Sequence, residues 1–185
     1  LDPGSVRKFG LALADVLGRD RGRPPHVVCG RDTRESGPWL RDALADGLAA
    51  RGASLIDAGV ITTPGLAYAT RASSFDAGVM ISASHNPFED NGLKVFSRSG
   101  MKLEDAVESR IETLMLDASI AVPPAGGGRA EIDLSLVSAY VAVLEKTLPR
   151  GRFEGLKLLL DCANGSASAI APAVFRDLGA RVETQ

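Results

Sequence analysis

The chain has 185 residues, enough to bury a hydrophobic core and to form one domain, or one domain and part of another. Its apolar fraction of 45% and charged fraction of 24% are those of an ordinary globular protein, and its net charge of −2 argues against a nucleic-acid partner. No apolar run approaches the roughly 20 residues that span a bilayer, so we expect no membrane partner either.

The cysteines and the first residues bear on the compartment. Cys29 and Cys162 are far apart and each ends an apolar run, which is typical of buried, reduced thiols. The first residues have no basic start, apolar middle or small-residue cleavage site, and no initiator methionine. We therefore expect a cytoplasmic protein whose own N-terminus lies upstream.

The first part of the chain alternates predicted strands and helices. Three short apolar runs are predicted to be buried strands: residues 26–30, 53–59 and 75–82. Between the first two, Leu40, Leu44 and Leu48 share one face of a helix, and Pro64 opens a short helix before the third. This βαβαβ order predicts a parallel sheet with helices on both faces.

The next segment predicts a change of strand direction. Asn91 and Gly92 both tolerate positive φ, which is the signature of a tight turn. Residues 93–96 are then expected to return as a strand beside the third, making the sheet mixed. A helix follows, with Val107 and Ile111 on its apolar stripe.

Composition changes near residue 123 and predicts a second unit. Residues 123–130 are rich in Pro and Gly and indicate a loop. Beyond them a helix, the apolar strand of LKLLLDCANG and another helix restart the α/β pattern, and a further strand begins where the sequence stops. We predict one domain over residues 1–133 and the beginning of a second over residues 134–185.

Polar, turn-forming residues follow the third strand directly. The segment SASHNP, residues 82–87, stands where ligands bind in open α/β sheets, outside the carboxyl ends of the strands. GRDTRESG, residues 30–37, ends the first strand at the same predicted edge, and Lys94 lies just beyond the predicted turn. A rim that carries a serine, a lysine and arginines suits a phosphate ester.

Other interpretations of these segments are simpler. Ser and Asn side chains often only cap backbone groups in turns, and residues 30–37 could be a helix N-cap with surface arginines. A serine hydrolase would need the G-x-S-x-G elbow, which the chain lacks. His26, the other histidine, starts a strand at the opposite edge of the sheet.

Taken together, the segments resemble the α-D-phosphohexomutases. GRDTRESG, ITTPGLAYAT, AGVMISASHNPFEDNGLKVFSRSGMKL and LLLDCANGSAS occur in the family's order and at its spacing along essentially the whole chain. The SASHNP–DNGLK block is highly specific. Within the family it is most similar to the block of the bacterial phosphoglucosamine mutases.

The resemblance implies a fold and a set of site residues. The fold is a mixed, mostly parallel α/β sheet with helices on both faces, followed by the start of a second similar α/β domain. Ser84 would be the phosphorylated nucleophile, and Lys94 an acid/base or phosphate ligand. His85 and Asn86 would steady the loop, and Arg34 would shape the pocket wall.

The implied activity is the interconversion of glucosamine 6-phosphate and glucosamine 1-phosphate, which supplies UDP-N-acetylglucosamine for the cell wall. It would proceed through phospho-Ser84 and glucosamine 1,6-bisphosphate, with one Mg²⁺ bound to a phosphoserine oxygen. A homodimer is possible. The alternatives are a phosphomannomutase or phosphoglucomutase of the same family, or a catalytically silent phosphosugar-binding module.

The sequence also departs from the family's pattern. It contains no D-G-D-x-D-R loop for the remaining metal ligands, no T-D-G-I-R-G stretch, no sugar-reading loop and no final phosphate-binding domain. We therefore expect a fragment that holds nearly all of the first of four domains and the start of the second, and that is inactive by itself.

Overall fold

The computed structural model describes residues 1–185 as two β-sheets flanked by helices. In chain order the elements are α1 (Pro3–Arg21), β1 (His26–Arg31), α2 (Gly37–Ala49), β2 (Ser54–Val60), α3 (Thr63–Ala72), β3 (Ala77–Ile81), β4 (Leu93–Ser97), α4 (Asp105–Leu116), β5 (Ala130–Ile132), α5 (Ser135–Glu145), β6 (Lys157–Leu160), α6 (Ile170–Asp177) and β7 (Arg181–Thr184). None of the helices combines the length and hydropathy that crossing a bilayer requires.

The larger sheet has five strands in the order β4-β3-β1-β2-β5. β1 is parallel to both β2 and β3, and β5 is parallel to β2. β4 runs antiparallel to β3, with Lys94 opposite Met80. The predicted mixed, mostly parallel sheet is thus confirmed, including the reversed direction of residues 93–96.

Both faces of this sheet are covered by helices. Because side chains alternate along a strand, Val27 packs against the helices of one face and Val28 against the helix of the other. Leu40 and Leu44 of α2 are fully buried on the first face, with α1 and α4 beside them. Leu66 of α3 is fully buried on the second. The helical stripe predicted for α2 is correct.

Helix α1 was not predicted, although it has clear start signals. Asp2 caps it by accepting a hydrogen bond from the Ser5 N–H at 3.0 Å, and Pro3 occupies its first turn. It crosses α2 at very close range, since a Cβ on Gly10 would stand 2.7 Å from the Leu44 carbonyl oxygen. Without a side chain at that position the two backbones can touch.

The prediction of a tight turn at Asn91 and Gly92 is wrong. Neither residue has a positive φ, and an extended loop over residues 82–92 connects β3 to β4. The Ser82 N–H donates to the Gly92 carbonyl at 3.0 Å and closes the base of this loop. Ser84 within it adopts the left-handed conformation instead, with φ +58°. The loop therefore projects from the edge of the sheet rather than reversing at once.

The smaller sheet lies near the end of the chain and consists of β6 and β7, which are parallel. Helix α6 packs against α5 through Ile170 and Val174. Leu136 of α5 is buried with the core on the α3 side of the larger sheet, and β5, which begins at the last residue of the segment predicted as a loop, joins that sheet. A domain boundary at residues 133–134 stays a prediction.

Asp76 anchors the edge of the larger sheet opposite to the predicted site. Its carboxylate is 1% exposed, lies 2.8 Å from Arg23 and 3.1 Å from Arg21, and accepts a hydrogen bond from the His26 N–H. Burial alone would raise the pKa of this carboxyl, but the hydrogen bonds from Arg23 and His26 and the charge of Arg21 outweigh it and hold the pKa below its ordinary value. The charged form is thus the one that the fold stabilises.

We expect Asp76→Asn to lower the free energy of unfolding of the 185-residue chain by about 1–3 kcal/mol at pH 7, because the charge-assisted hydrogen bonds that the buried carboxylate accepts from Arg23 and from the His26 N–H are weakened. Since the folded-state pKa is depressed, this stabilisation is present above the unfolded pKa and is lost as pH falls through the folded one. Urea unfolding of both proteins at neutral and acid pH measures it. Asp105→Asn, at an exposed ion pair, is the control. If the two proteins differed in free energy of unfolding by as much in acid as at neutral pH, the stabilisation would not come from the charged form of Asp76.

Candidate active site

The carboxyl ends of β1 and β3 bring the two polar segments of the sequence together. Arg31 pairs with Ile81, and the Asp32 N–H donates to the Ile81 carbonyl at 3.1 Å. The loop after β6 faces them across a crevice of about 700 Å³. The crevice is lined by Asp32, Thr33, Arg34, Glu35, Ser84, His85, Asn86, Phe88, Cys162, Ala163, Asn164 and Gly165.

Arg34 holds the loop of residues 82–92, called the serine loop below, through hydrogen bonds to its backbone. Its Nε donates to Asp32 at 2.9 Å, and its two terminal nitrogens donate to the carbonyl oxygens of Ser84, Asn86, Pro87 and Asp90. Every guanidinium N–H is therefore used within the protein, and the side chain is only 11% exposed. These are the contacts of a residue that positions the loop, and they leave no donor for a phosphate.

The two serines of the loop have different surroundings. Ser82 Oγ donates to Asp32 Oδ2 at 2.7 Å and accepts a hydrogen bond from the Ser84 N–H at 3.1 Å. Asp32 also accepts from Arg34, so Ser82 belongs to a connected network at the base of the loop. This network engages the Ser82 hydroxyl as donor and as acceptor.

Ser84 presents its hydroxyl to the crevice. Its one side-chain hydrogen bond is shared with His85 Nδ1 at 3.0 Å. Its φ of +58° is uncommon for a residue with a side chain and is maintained by the hydrogen bonds on either side of it. Ser84 is thus an accessible hydroxyl on a firmly held backbone, which suits a group that must receive or give up a phosphate.

The other predicted site residues are divided between two places. His85 and Asn86 line the same crevice as Ser84. Lys94 is not among the residues that line it: it is exposed on β4 and lies opposite Met80, on the face of the sheet that α3 covers. The role of Lys94 stays a prediction from the resemblance.

Sequence reasoning missed the contact that closes the crevice. Thr33 Oγ1 donates to the Asn164 carbonyl at 2.6 Å and joins the edge of the larger sheet to the loop after β6. That loop is shaped by Asp161, which accepts from the Ala163 N–H, and by positive φ at Ala163 and Asn164. The signal in the sequence is Asn164–Gly165, a turn dipeptide at the end of a strand.

The two free cysteines differ from each other. Cys29 is buried in the core, and burial, with the nearby charge of Asp57, raises the pKa of its thiol, which keeps it protonated. Cys162 is partly exposed and lines the crevice. The expectation of two buried thiols is therefore correct for Cys29 and wrong for Cys162, because the strand β6 ends before it.

Divalent cations that prefer oxygen are bound by several oxygen ligands that converge on one point, with one or more carboxylates among them. No group of three or more His, Cys, Asp or Glu side chains lies close enough to hold a metal ion. The Asp32 carboxylate is occupied by Arg34 and Ser82. These residues do not form a Mg²⁺ site on their own.

Comparison with known proteins identifies the arrangement. Residues 1–120 match the family model for phosphoglucomutase/phosphomannomutase, alpha/beta/alpha domain I. The chain is 45% identical over 187 aligned residues to a phosphoglucosamine mutase of Solibacter usitatus, covering all of this chain and 41% of that protein. It is 47% identical over 181 to one of Chromohalobacter salexigens, covering 96% of this chain and 40% of that protein.

A solved structure extends the match to the fold. A putative phosphomannomutase from Thermus thermophilus superimposes with a TM-score of 0.82 at 27% identity, over the whole of this chain and 42% of that one. The chain thus spans about two fifths of the length of the proteins that it matches. With most of its residues matched by the domain I model, the chain belongs to the phosphoglucomutase/phosphomannomutase family.

Proposed function

We propose that the protein containing this chain is a phosphoglucosamine mutase that interconverts glucosamine 6-phosphate and glucosamine 1-phosphate. The observation that carries the proposal is the serine loop, in which Ser82 and Arg34 are fully engaged while the Ser84 hydroxyl faces a crevice. The naming of relatives at 45–47% identity supports glucosamine phosphate as the substrate.

In the proposed reaction Ser84 carries a phosphate at the start. The P–O bond to Ser84 Oγ breaks as the free sugar hydroxyl forms a new bond to phosphorus; the hydroxyl gives up its proton and the leaving Oγ takes one up, which yields glucosamine 1,6-bisphosphate and a free serine hydroxyl. After the sugar turns around, Ser84 Oγ loses its proton and bonds to the other phosphorus, while the bond from that phosphorus to the sugar oxygen breaks and the sugar oxygen takes up a proton. Such transfers depend mainly on alignment and charge stabilisation, so the backbone held by Arg34 contributes by fixing where Oγ stands.

We propose one Mg²⁺ as cofactor of the whole enzyme, with an oxygen of phospho-Ser84 as the ligand that this chain supplies. The remaining ligands belong to residues outside these 185, since the crevice holds no metal-binding cluster of its own. A cytoplasmic location is part of the proposal and agrees with two free thiols. A homodimer and the boundary between residues 133 and 134 are likewise proposals.

Two alternatives are separated from this proposal by one experiment. A phosphomannomutase or phosphoglucomutase would share the fold and the serine loop, and a silent phosphosugar-binding module would share both without turnover. We expect the full-length protein, with Mg²⁺ and catalytic bisphosphate, to convert glucosamine phosphate with a kcat/KM at least tenfold above those for glucose and mannose phosphates. Coupled assays on the three sugars measure this.

Each alternative predicts a different result in those assays. A preference for mannose or glucose phosphate would replace the proposed sugar, and no turnover with any of the three would favour the silent module. The 185-residue chain, assayed in parallel, is expected to give no turnover because it completes no metal site.

Lys94→Met in the full-length protein tests the predicted role of the lysine, with a fall in kcat at unchanged melting temperature as the supporting result.

A further inference from the structure

An exposed aromatic ring stands on the rim of the crevice. Phe88 is 76% exposed, although it belongs to the same loop as Ser84 and lines the same crevice. The other residues that the larger sheet contributes to this lining are polar or charged. Small-molecule sites combine a few polar groups that fix orientation with apolar or aromatic surface that contacts the body of the ligand. Phe88 is the aromatic surface of this site.

Hydrogen bonds hold the backbone that carries this ring. Arg34 donates to the carbonyl oxygens of Asn86, Pro87 and Asp90, which lie on both sides of Phe88. The Asp90 N–H donates to the Pro87 carbonyl at 3.1 Å and closes a turn with Phe88 inside it. The exposure of the ring is therefore built into a turn held from both sides, and is not the consequence of a loose chain.

The proposed substrate has a complementary surface. A hexosamine phosphate carries charge at its phosphate and hydrogen-bonding groups around the edge of its ring, while the faces of the ring are largely C–H. Phosphate and hydroxyl groups are met by polar partners, but the C–H face loses contact with water only against an apolar surface. Phe88 and Ser84 line the same crevice, so a sugar whose phosphate approaches Ser84 enters the space that this ring borders.

We propose that Phe88 packs against the C–H face of the substrate's sugar ring and determines how tightly the site holds it; this inference rests on the proposed function. The contact has a further consequence for the reaction. Because packing on an aromatic face is not directional, it can persist when the sugar exchanges its two ends, whereas hydrogen bonds to one end cannot. Phe88 would then help to retain glucosamine 1,6-bisphosphate between the two transfers.

The test is steady-state kinetics on full-length variants. We expect Phe88→Ala to raise KM for glucosamine phosphate about tenfold, a loss of about 1.4 kcal/mol, with kcat changed by less than about threefold. The concentration of bisphosphate needed for half-maximal activation should rise as well, because the intermediate escapes more often. Phe88→Tyr keeps the ring and should stay within about twofold of wild type. Leu116→Ala removes an equally exposed apolar side chain outside the crevice and should change nothing.

Melting temperature separates a substrate contact from a structural one. The Phe88→Ala protein without ligand should melt within about 1 °C of wild type, because an exposed ring contributes little to packing. An unchanged KM would overturn the inference, and so would a fall of several degrees, which would place Phe88 against another part of the longer protein.

A binding measurement keeps the inference independent of the mutase activity. In the Ser84→Ala background, which cannot turn the sugar over, calorimetric titration with glucosamine 6-phosphate should show about tenfold weaker binding when Phe88 is also changed to Ala. If the ring strengthened binding in this way but the wild type showed no turnover, the proposed function would be refuted and the role of Phe88 supported. Equal affinity with and without the ring would refute the role of Phe88 alone.

Discussion

Replacing Ser84 with alanine in the full-length protein should reduce mutase turnover by at least about 10³-fold, since no other hydroxyl in the crevice is free to carry the phosphate. Ser82 cannot substitute for it, because its hydroxyl donates to Asp32 and accepts from the Ser84 N–H. The fold should persist, because Ser84 Oγ makes one exposed hydrogen bond and Ala tolerates the same backbone region about as well as Ser.

Three measurements check this result. Coupled assays of Ser84→Ala beside Ser99→Ala, an exposed serine outside the crevice, give the activity, and thermal melting shows whether the fold is intact. Peptide mass spectrometry of the wild type should locate the phosphate on Ser84. Phosphate on Ser82, with Ser84 unmodified, would show that the hydrogen-bond network does not decide which serine reacts.

Arg34→Lys should lower turnover about 10²-fold, although it preserves the charge. A lysine ammonium cannot reach one carboxylate and four carbonyls at once, because it lacks the planar fork of donors that Arg34 uses. Released from these contacts, the loop no longer fixes Ser84 Oγ, and a misplacement of about 1 Å at a reacting atom is enough for a loss of this size.

Hydrogen exchange distinguishes a local effect from a general loss of stability. Amides of residues 82–92 should exchange faster in the Arg34→Lys protein, while those of β1 and β3 keep their protection. Arg98→Lys is the matched control, since Arg98 is exposed and lies outside the crevice. Wild-type turnover in the Arg34→Lys protein would mean that the loop holds its shape without the guanidinium. Faster exchange throughout the sheet would mean that the arginine acts on the whole fold.

Much of the architecture can be predicted from the sequence because it depends on patterns within single segments. The apolar runs that become β1, β2 and β3 and the leucine stripe of α2 follow from side-chain periodicity, and periodicity is a property of a few neighbouring residues. The place of Ser84 at the edge of the sheet follows likewise, because polar residues directly after a buried strand emerge at its carboxyl end.

The sequence pattern was less informative where two parts of the chain meet. The start of α1 at Asp2 and Pro3 carried a local signal, but its packing on α2 depends on the glycines that bring the two backbones together. The Asn91–Gly92 pair is a common turn signal, yet the chain makes a long loop there because Arg34 supplies hydrogen bonds to its carbonyls. A local pattern cannot include a partner that lies more than 50 residues away.

The sequence by itself determined the family, the strand that carries the serine loop and the residues that the loop contains. Only the tertiary structure decided which serine is free, since Asp32 engages Ser82 from 50 positions away. It also placed Phe88 and the loop after β6 on the walls of the crevice. The physical reason is the same in each case. Strand register and helix packing set the distances between side chains that are remote in sequence, and a hydrogen bond forms only where donor and acceptor come close enough.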